Sequence, residues 1–267
     1  MRPLLGVICC TLPPAGDPRQ GVAERYLHAG PFIGADLVLI PSVPQWQDAA
    51  SLVRRLDGVF LTGSPSNVES ARYGAEDPEA GPFDPARDTT ALALLDAARA
   101  ANRPVLGICR GFQEIAVAYG STLRRDLGAG TASHHAGDTL PLAEKFAHCH
   151  DVRLAPGGAL ARATGRERIT INSVHFQGVA ALGPALRAEA ASDDGLVEAV
   201  SEASGRVLAV QWHPEWDAPT DPVARVVLSM FGAMLRGATL DQAADQAGTG
   251  SRIASGAATA GASSGAD

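Results

Sequence analysis

Short apolar runs alternate with longer amphipathic stretches over the first 110 positions. Leu4–Cys10, Leu37–Ile40, Gly58–Leu61 and Val105–Ile108 are brief, continuous and rich in aliphatic side chains, the pattern of strands covered on both faces. Between them, Gln20–Ala29, Gln47–Leu56 and Asp88–Ala101 carry apolar residues at helical spacing. This β-α-β-α order predicts a parallel sheet with helices on both faces. The second half is mixed. Cys149–Leu154, Arg168–Ile171, Leu196–Ser201 and Val207–Gln211 read as strands, several of them antiparallel. Pro222–Arg236 reads as a closing helix with Val226, Val227, Met230, Phe231 and Met234 on its inner face.

From Gly237 onward the pattern fades, and Gly248–Asp267 is almost entirely Gly, Ala, Ser and Thr. Such a segment has too little apolar surface to offset its ordering entropy. The expected organisation is one domain over residues 1–236 and a disordered tail over 237–267. Composition narrows the partners. Apolar residues make up 46% of the 267 and charged residues 19%, enough for a sizeable core. The balance of 22 basic to 29 acidic side chains gives a net charge of −7, and Lys145 is the single lysine. No nucleic-acid footprint is present. No run approaches the roughly 20 apolar residues of a membrane span. The short N-terminal apolar run lacks a cleavage site and reads as a buried strand rather than a leader. Four cysteines, two of them adjacent (Cys9, Cys10), do not make a disulfide framework, so reduced thiols in a cytoplasmic protein are expected.

The candidate chemistry begins where the fourth strand ends. Gly107-Ile108-Cys109-Arg110-Gly111, followed at once by a helical run (Phe112–Tyr119), has the form of a nucleophile elbow, in which small neighbours permit a tight strand-to-helix turn. A thiol at a helix N-terminus is favoured as thiolate, and the N–H of Arg110 would point to where an oxyanion forms. The pentapeptide alone also fits a buried cysteine at an ordinary βα junction, the less favoured of the two readings. The segment Val207–Trp216 supplies the missing base. A buried strand runs into His213, and Glu215 follows two residues later, placed to fix the imidazole tautomer.

Gly-Ile-Cys-Arg-Gly-Phe-Gln followed by Gln-Trp-His-Pro-Glu-Trp resembles the class I glutamine amidotransferase superfamily, and within it the γ-glutamyl-γ-aminobutyrate hydrolase group. Leu61–Val68, the helix opening at Asp84, Arg87 and Asp88, and Ile171–Gly178 carry the narrower likeness, which spans roughly residues 4–235. The resemblance implies a flavodoxin-like three-layer α/β fold, its central sheet mainly parallel with added antiparallel strands. It implies a triad of Cys109, His213 and Glu215 and an oxyanion hole from the N–H groups of Gly63 and Arg110. It also implies substrate contacts at Gln113, Ser173, Val174 and His175, more through backbone than side chain. Ala116, where relatives usually carry Asn, and Ser121, where they carry Gly, depart from the pattern away from the triad.

Other polar clusters carry less. His148 and His150 would share one strand face and Cys149 the other, so that trio cannot converge on an ion. His134-His135 stands alone, and no metal, ATP or other cofactor is expected. The expected activity is hydrolysis of a γ-glutamyl amide through a thioester, with γ-glutamyl-γ-aminobutyrate from polyamine breakdown as the substrate. Two rivals stand beside it: a glutaminase subunit passing ammonia to a separate synthetase, and a non-catalytic regulator on the same fold. A small molecule is the expected partner, with no nucleic acid and no membrane; a homodimer is left open.

Overall fold

Val207 and Ala209 face one way and Leu208 and Val210 the other, and all four are buried, so the strand that bears them is covered on both sides. That strand is central to a computed structural model describing residues 1–12, 17–75, 81–125, 127, 134–137 and 139–249. Its strands in chain order are β1 (Leu4–Ile8), β2 (Cys10–Leu12), β3 (Arg19–Gly21), β4 (Asp36–Ile40), β5 (Gly58–Leu61), β6 (Val105–Ile108) and β7 (Thr122–Arg124). Then come β8 (Cys149–Leu154), β9 (Arg168–Asn172), β10 (Gly178–Ala181), β11 (Leu186–Ser192), β12 (Val197–Glu202) and β13 (Val207–Val210).

Nine of these form one sheet in the order β4-β1-β5-β6-β13-β12-β11-β8-β9. The first five are parallel to their neighbours and the last four are added antiparallel. The fold is the expected three-layer α/β arrangement. On one face the helices Pro85–Ala100 and Arg110–Ala118 pack on Val59, Leu61, Val105, Val207 and Ala209. On the other, Pro222–Leu235 lays Val227, Met230, Phe231 and Met234 against Leu106, Ile108, Leu208 and Val210. Asp221 caps this last helix by accepting from the N–H groups of Val223 and Ala224, and Pro222 supplies the first turn.

Three expectations change. The helix expected over Gln20–Ala29 is an arm of the β2–β3 hairpin followed by two single turns, Glu24–Leu27 and Gly30–Ile33. Pro31 lacks an N–H and starts a new turn instead of continuing the old one. Leu186–Ser192 was not anticipated as a strand; its Glu189 is buried and accepts from the Ser201 hydroxyl at 2.6 Å.

The domain does not stop at residue 236. Residues 240–249 are helical, with Leu240, Ala243 and Ala244 buried in the core. Thr239 accepts from the N–H of Gln242 at 3.3 Å, and the Gln242 side chain accepts from the N–H of Thr239 at 2.8 Å. This reciprocal cap satisfies two otherwise orphaned donors. Arg162 pairs with Asp241 and, at 3.1 Å, with Asp245. The expected disorder of the last segment, 250–267, lies outside the described residues.

Candidate active site

β6 and β13 are neighbours in register, Val105 opposite Val207 and Ile108 opposite Val210. Cys109 and the 211–213 segment therefore leave the sheet side by side at its carboxyl edge, where open α/β sheets place their ligands. Cys109 turns the chain at φ 53° and ψ −106°, as N-cap of the helix Arg110–Ala118. A side chain in this region is strained by about 1–3 kcal/mol, and the surroundings must hold it there. Packing explains the second glycine: a Cβ on Gly111 would lie 1.9 Å from the Leu61 carbonyl oxygen, so only glycine lets this helix sit on β5.

Cys109 and the His213 ring lie side by side at the cleft: a Cβ placed on Gly63 would be 3.3 Å from Cys109 Cβ and 3.2 Å from His213 Cε1. His213 Nδ1 lies 2.8 Å from Glu215 Oε1, leaving the other ring nitrogen for the sulfur. All three side chains are buried. The histidine is gripped from behind as well. Its N–H donates to Asn172 Oδ1 at 2.8 Å, its carbonyl accepts from Asn172 Nδ2 at 2.9 Å, and Asn172 also donates to Asp217. Phe146 meets the ring edge-on, centroids 4.9 Å apart. Burial opposes a charged imidazole, but the Glu215 carboxylate and the Cys109 sulfur outweigh it and raise the His213 pKa from 6.5 to about 10. Arg25 donates to Glu215 at 3.3 Å and to the Tyr26 phenol at 3.2 Å. Burial and the Glu215 charge hold that phenol well above its usual pKa, so it stays neutral.

Gly63 sits against Cys109. A Cβ there would be 3.3 Å from Cys109 Cβ, 3.2 Å from His213 Cε1 and 2.1 Å from the Tyr26 hydroxyl. Its N–H is aimed by a residue on the far side. The buried Arg87 donates to the Thr62 carbonyl, the other half of the same peptide group. In a trans peptide the C=O and N–H point opposite ways, so drawing Thr62 O toward Arg87 turns the Gly63 N–H away from it. Arg87 is in turn held by both Glu114 oxygens, at 3.0 and 3.2 Å. Arg110 completes the web, pairing with Glu114 and with Asp88 at 2.7 Å and donating to the carbonyls of Ser66 at 3.0 Å and Asn67 at 3.1 Å. The N–H of Arg110, in the first turn of its helix, has no acceptor within the helix.

These groups open onto a cleft of about 580 Å³, lined among others by Cys109, Gly63, Arg25, Lys145, Val174 and Phe176. A larger hollow, about 1020 Å³, lies between β8, β11 and the helix Ala159–Thr164 and holds no nucleophile. Gln113 lines the cleft, but its amide is committed to the Gln177 carbonyl at 3.0 Å and Gln211 at 3.2 Å. Ser173 is fully buried, its N–H donating to the His148 carbonyl and its hydroxyl to the His134 carbonyl. Val174 and His175 reach the cleft, while the His175 ring is spanned between the Gln177 carbonyl and Glu198. Thus Gln113 and the 173–175 segment shape the wall, and their side chains are engaged elsewhere. Sequence reasoning missed Tyr26, Arg25, Asn172 and Glu114. Of these, Glu114 left a signal as an acid one helical turn after Arg110, and Asn172 lay within the Ile171–Gly178 stretch without a role being read for it.

The chain has relatives in sequence and in fold. The sequence matches the Peptidase C26 family over residues 3–215. It is 36% identical over 237 residues to the γ-glutamyl-γ-aminobutyrate hydrolase PuuD of Escherichia coli K12, covering 86% of this chain and 92% of that one. Protein NtpR of Enterococcus hirae is 29% identical over 80% of this chain and 92% of its own. In fold, the chain is similar to the crystal structure of a protein assigned as a GMP synthase component from Thermoplasma acidophilum. The TM-score is 0.59 at 16% identity, over 88% of this chain and 95% of that one. This chain, with its glycine-flanked Cys109 at the sheet edge, belongs to the Peptidase C26 family of class I glutamine amidotransferase-like proteins.

Proposed function

We propose that the protein is a cysteine-dependent hydrolase of γ-glutamyl amides, with γ-glutamyl-γ-aminobutyrate as its substrate. The observation that carries this reading is Cys109, held at φ 53° beside a His213 that Glu215 orients at 2.8 Å. The Cys109 thiolate attacks the γ-carbonyl carbon, and the N–H groups of Gly63 and Arg110 receive the developing oxyanion. His213, protonated, gives its proton to the amine nitrogen as the C–N bond breaks, leaving a γ-glutamyl thioester. Water then adds to the thioester with His213 as base, the C–S bond breaks, and glutamate leaves with the thiolate regenerated.

The leaving γ-aminobutyrate carries a carboxylate, and Lys145 lines the cleft with no ion pair among the described residues. That cation suits an acidic leaving group better than a neutral one. The likeness to the hydrolase from E. coli, at 36% identity, supports the same substrate. The test is a panel of glutamine, γ-glutamyl-γ-aminobutyrate and a neutral γ-glutamyl alkylamide on the purified protein. Glutamate release fastest from γ-glutamyl-γ-aminobutyrate, and none from Cys109→Ala, is expected. Ready cleavage of glutamine with no release from γ-glutamyl amines would overturn the reading in favour of an ammonia-supplying role. A protein inert to the whole panel would leave the non-catalytic rival standing.

A further inference from the structure

Beside the 173–177 wall lies a polar cluster that the proposed hydrolysis does not use. His134, His150 on β8, His175 and Glu198 on β12 come from four separate segments, and one donor atom from each meets within 4.8 Å of the others. Glu198 Oε1 is 3.1 Å from His134 Nδ1, 3.5 Å from His175 Nε2 and 3.7 Å from His150 Nε2. Glu198, His134 and His175 are buried to within 3% of full burial. None of these four atoms has a partner in hydrogen-bond geometry, although they crowd one another.

The second ring nitrogen of each histidine explains why. His134 Nε2 is 2.9 Å from Asp194 Oδ2. His175 Nδ1 is 3.0 Å from the Gln177 carbonyl oxygen. His150 Nδ1 is 3.2 Å from the Asp151 carbonyl oxygen. Each of those partners only accepts, so each outer nitrogen must carry the ring's proton. A neutral imidazole then presents a bare lone pair on its inner nitrogen. Three lone pairs and a carboxylate thus face one point with no donor among them, an arrangement that repels itself unless a cation sits at its centre.

We propose that His134 Nδ1, His150 Nε2, His175 Nε2 and Glu198 Oε1 form a structural site for one divalent transition-metal ion of the zinc class. The donor set is that of zinc: imidazole nitrogens and a carboxylate oxygen, four in number. Ligands about 2.1 Å from a tetrahedral centre are about 3.4 Å apart, and the three separations from Glu198 Oε1 bracket that edge. The outer hydrogen bonds are the ones metal-bound histidines make, to a carboxylate or a backbone carbonyl, which fix the tautomer and the ring plane. All four positions are protein atoms, so the ion pins structure and has no open face for substrate. What it pins is the cleft wall. The His134 carbonyl accepts from the Ser173 hydroxyl at 2.8 Å and the His175 N–H at 3.1 Å, and His135 bridges to Val174.

The test uses the full chain stripped with a chelator and titrated with Co²⁺, and separately with Zn²⁺ against a chromophoric chelator. One equivalent per chain is expected, with the intense visible absorption of tetrahedral Co²⁺ and a higher unfolding temperature with Zn²⁺. Glu198→Gln and His150→Ala should lose the absorption and the thermal shift. Asp194→Asn, changed at the partly exposed outer residue, should weaken binding by about 10–100-fold while keeping one equivalent. No saturable binding by the wild type, or binding that survives both Glu198→Gln and His150→Ala, would overturn the proposal. A proton shared in a purely hydrogen-bonded knot would then be the centre. Metal binding is read without substrate, so failure here and failure of the hydrolase reading are separate outcomes.

Discussion

Behind the 63–67 loop, Arg87 and Arg110 set two positive charges against Asp88 and Glu114, and both guanidiniums donate to carboxylates and loop carbonyls together. Behind the 173–177 wall, three imidazoles and Glu198 converge with acceptors only. Both clusters are buried and each braces one part of the cleft. The first is balanced within the chain: its donors meet acceptors, and nothing has to be added. The second is unbalanced and needs a charge from outside. The lesson is that burial of polar groups does not by itself mark function. The sign of the imbalance does, because a self-satisfied cluster holds shape while an acceptor-only one calls for a ligand.

The His213–Glu215 pair joins a donor to an acceptor within the chain, and cutting it should have the largest effect. Glu215→Gln removes the carboxylate that raises His213, so kcat/KM for the γ-glutamyl substrate is expected to fall on the order of 10³–10⁴-fold. The basic limb of the pH–rate profile, set near pH 10 in the wild type, should move toward 6.5. Stability follows the same group. A folded His213 keeps its proton to about pH 10 while an unfolded one loses it near 6.5, so its contribution is complete below about pH 6.5 and fades as pH rises to 10. Unfolding by urea across that range should show the decline, and Glu215→Gln should flatten it.

Next in size is Arg87→Met. It strips a buried cation from the balanced web and is expected to destabilise the fold by about 3–5 kcal/mol in urea. Arg87→Lys keeps the charge without the planar fork that spans Glu114 and Thr62. It should recover stability more than kcat, as expected of a group that aims the Gly63 N–H rather than touching substrate. Glu198→Gln discriminates between the clusters most directly. Without metal it should be neutral or stabilising, since it relieves repulsion among acceptors. With Zn²⁺ at 100 times Kd the wild type alone should gain about 2.7 kcal/mol. A loss of several kcal/mol in metal-free Glu198→Gln would make the two clusters alike. The smallest effect is at the mouth. Lys145→Ala should raise KM for γ-glutamyl-γ-aminobutyrate by about tenfold, the scale of one charge-assisted hydrogen bond, and leave the neutral alkylamide unchanged.

What could be read from the chain was what is local. Strands β5, β6 and β13 each fall within one residue of the runs that predicted them, because burial on both faces leaves an unbroken apolar word in the sequence; β4 was located as well but, contrary to expectation, is an edge strand with Val38 and Leu39 exposed. Cys109 and His213 were legible for the same reason: each ends such a word, and its glycine, proline or acidic neighbours lie within two positions. The histidine cluster was not. His150 was weighed only with its neighbours His148 and Cys149, whereas its true companions lie 16, 25 and 48 positions away, on other strands and loops. Arg87 could be placed on a helix but not behind a peptide bond. The helix at 240–249 was missed although Thr239-Leu240-Asp241-Gln242 carries the signature of a reciprocal cap; the small-residue composition that follows hid it.

Cys109 keeps a side chain at a backbone angle where glycine would rest without strain. A search for hardier versions of this protein, conducted without regard to turnover, would press on that residue. Heat resistance and chemistry therefore make opposite demands on one position, and any gain in robustness that spares activity has to be found elsewhere. The contest between them is settled by the sulfur.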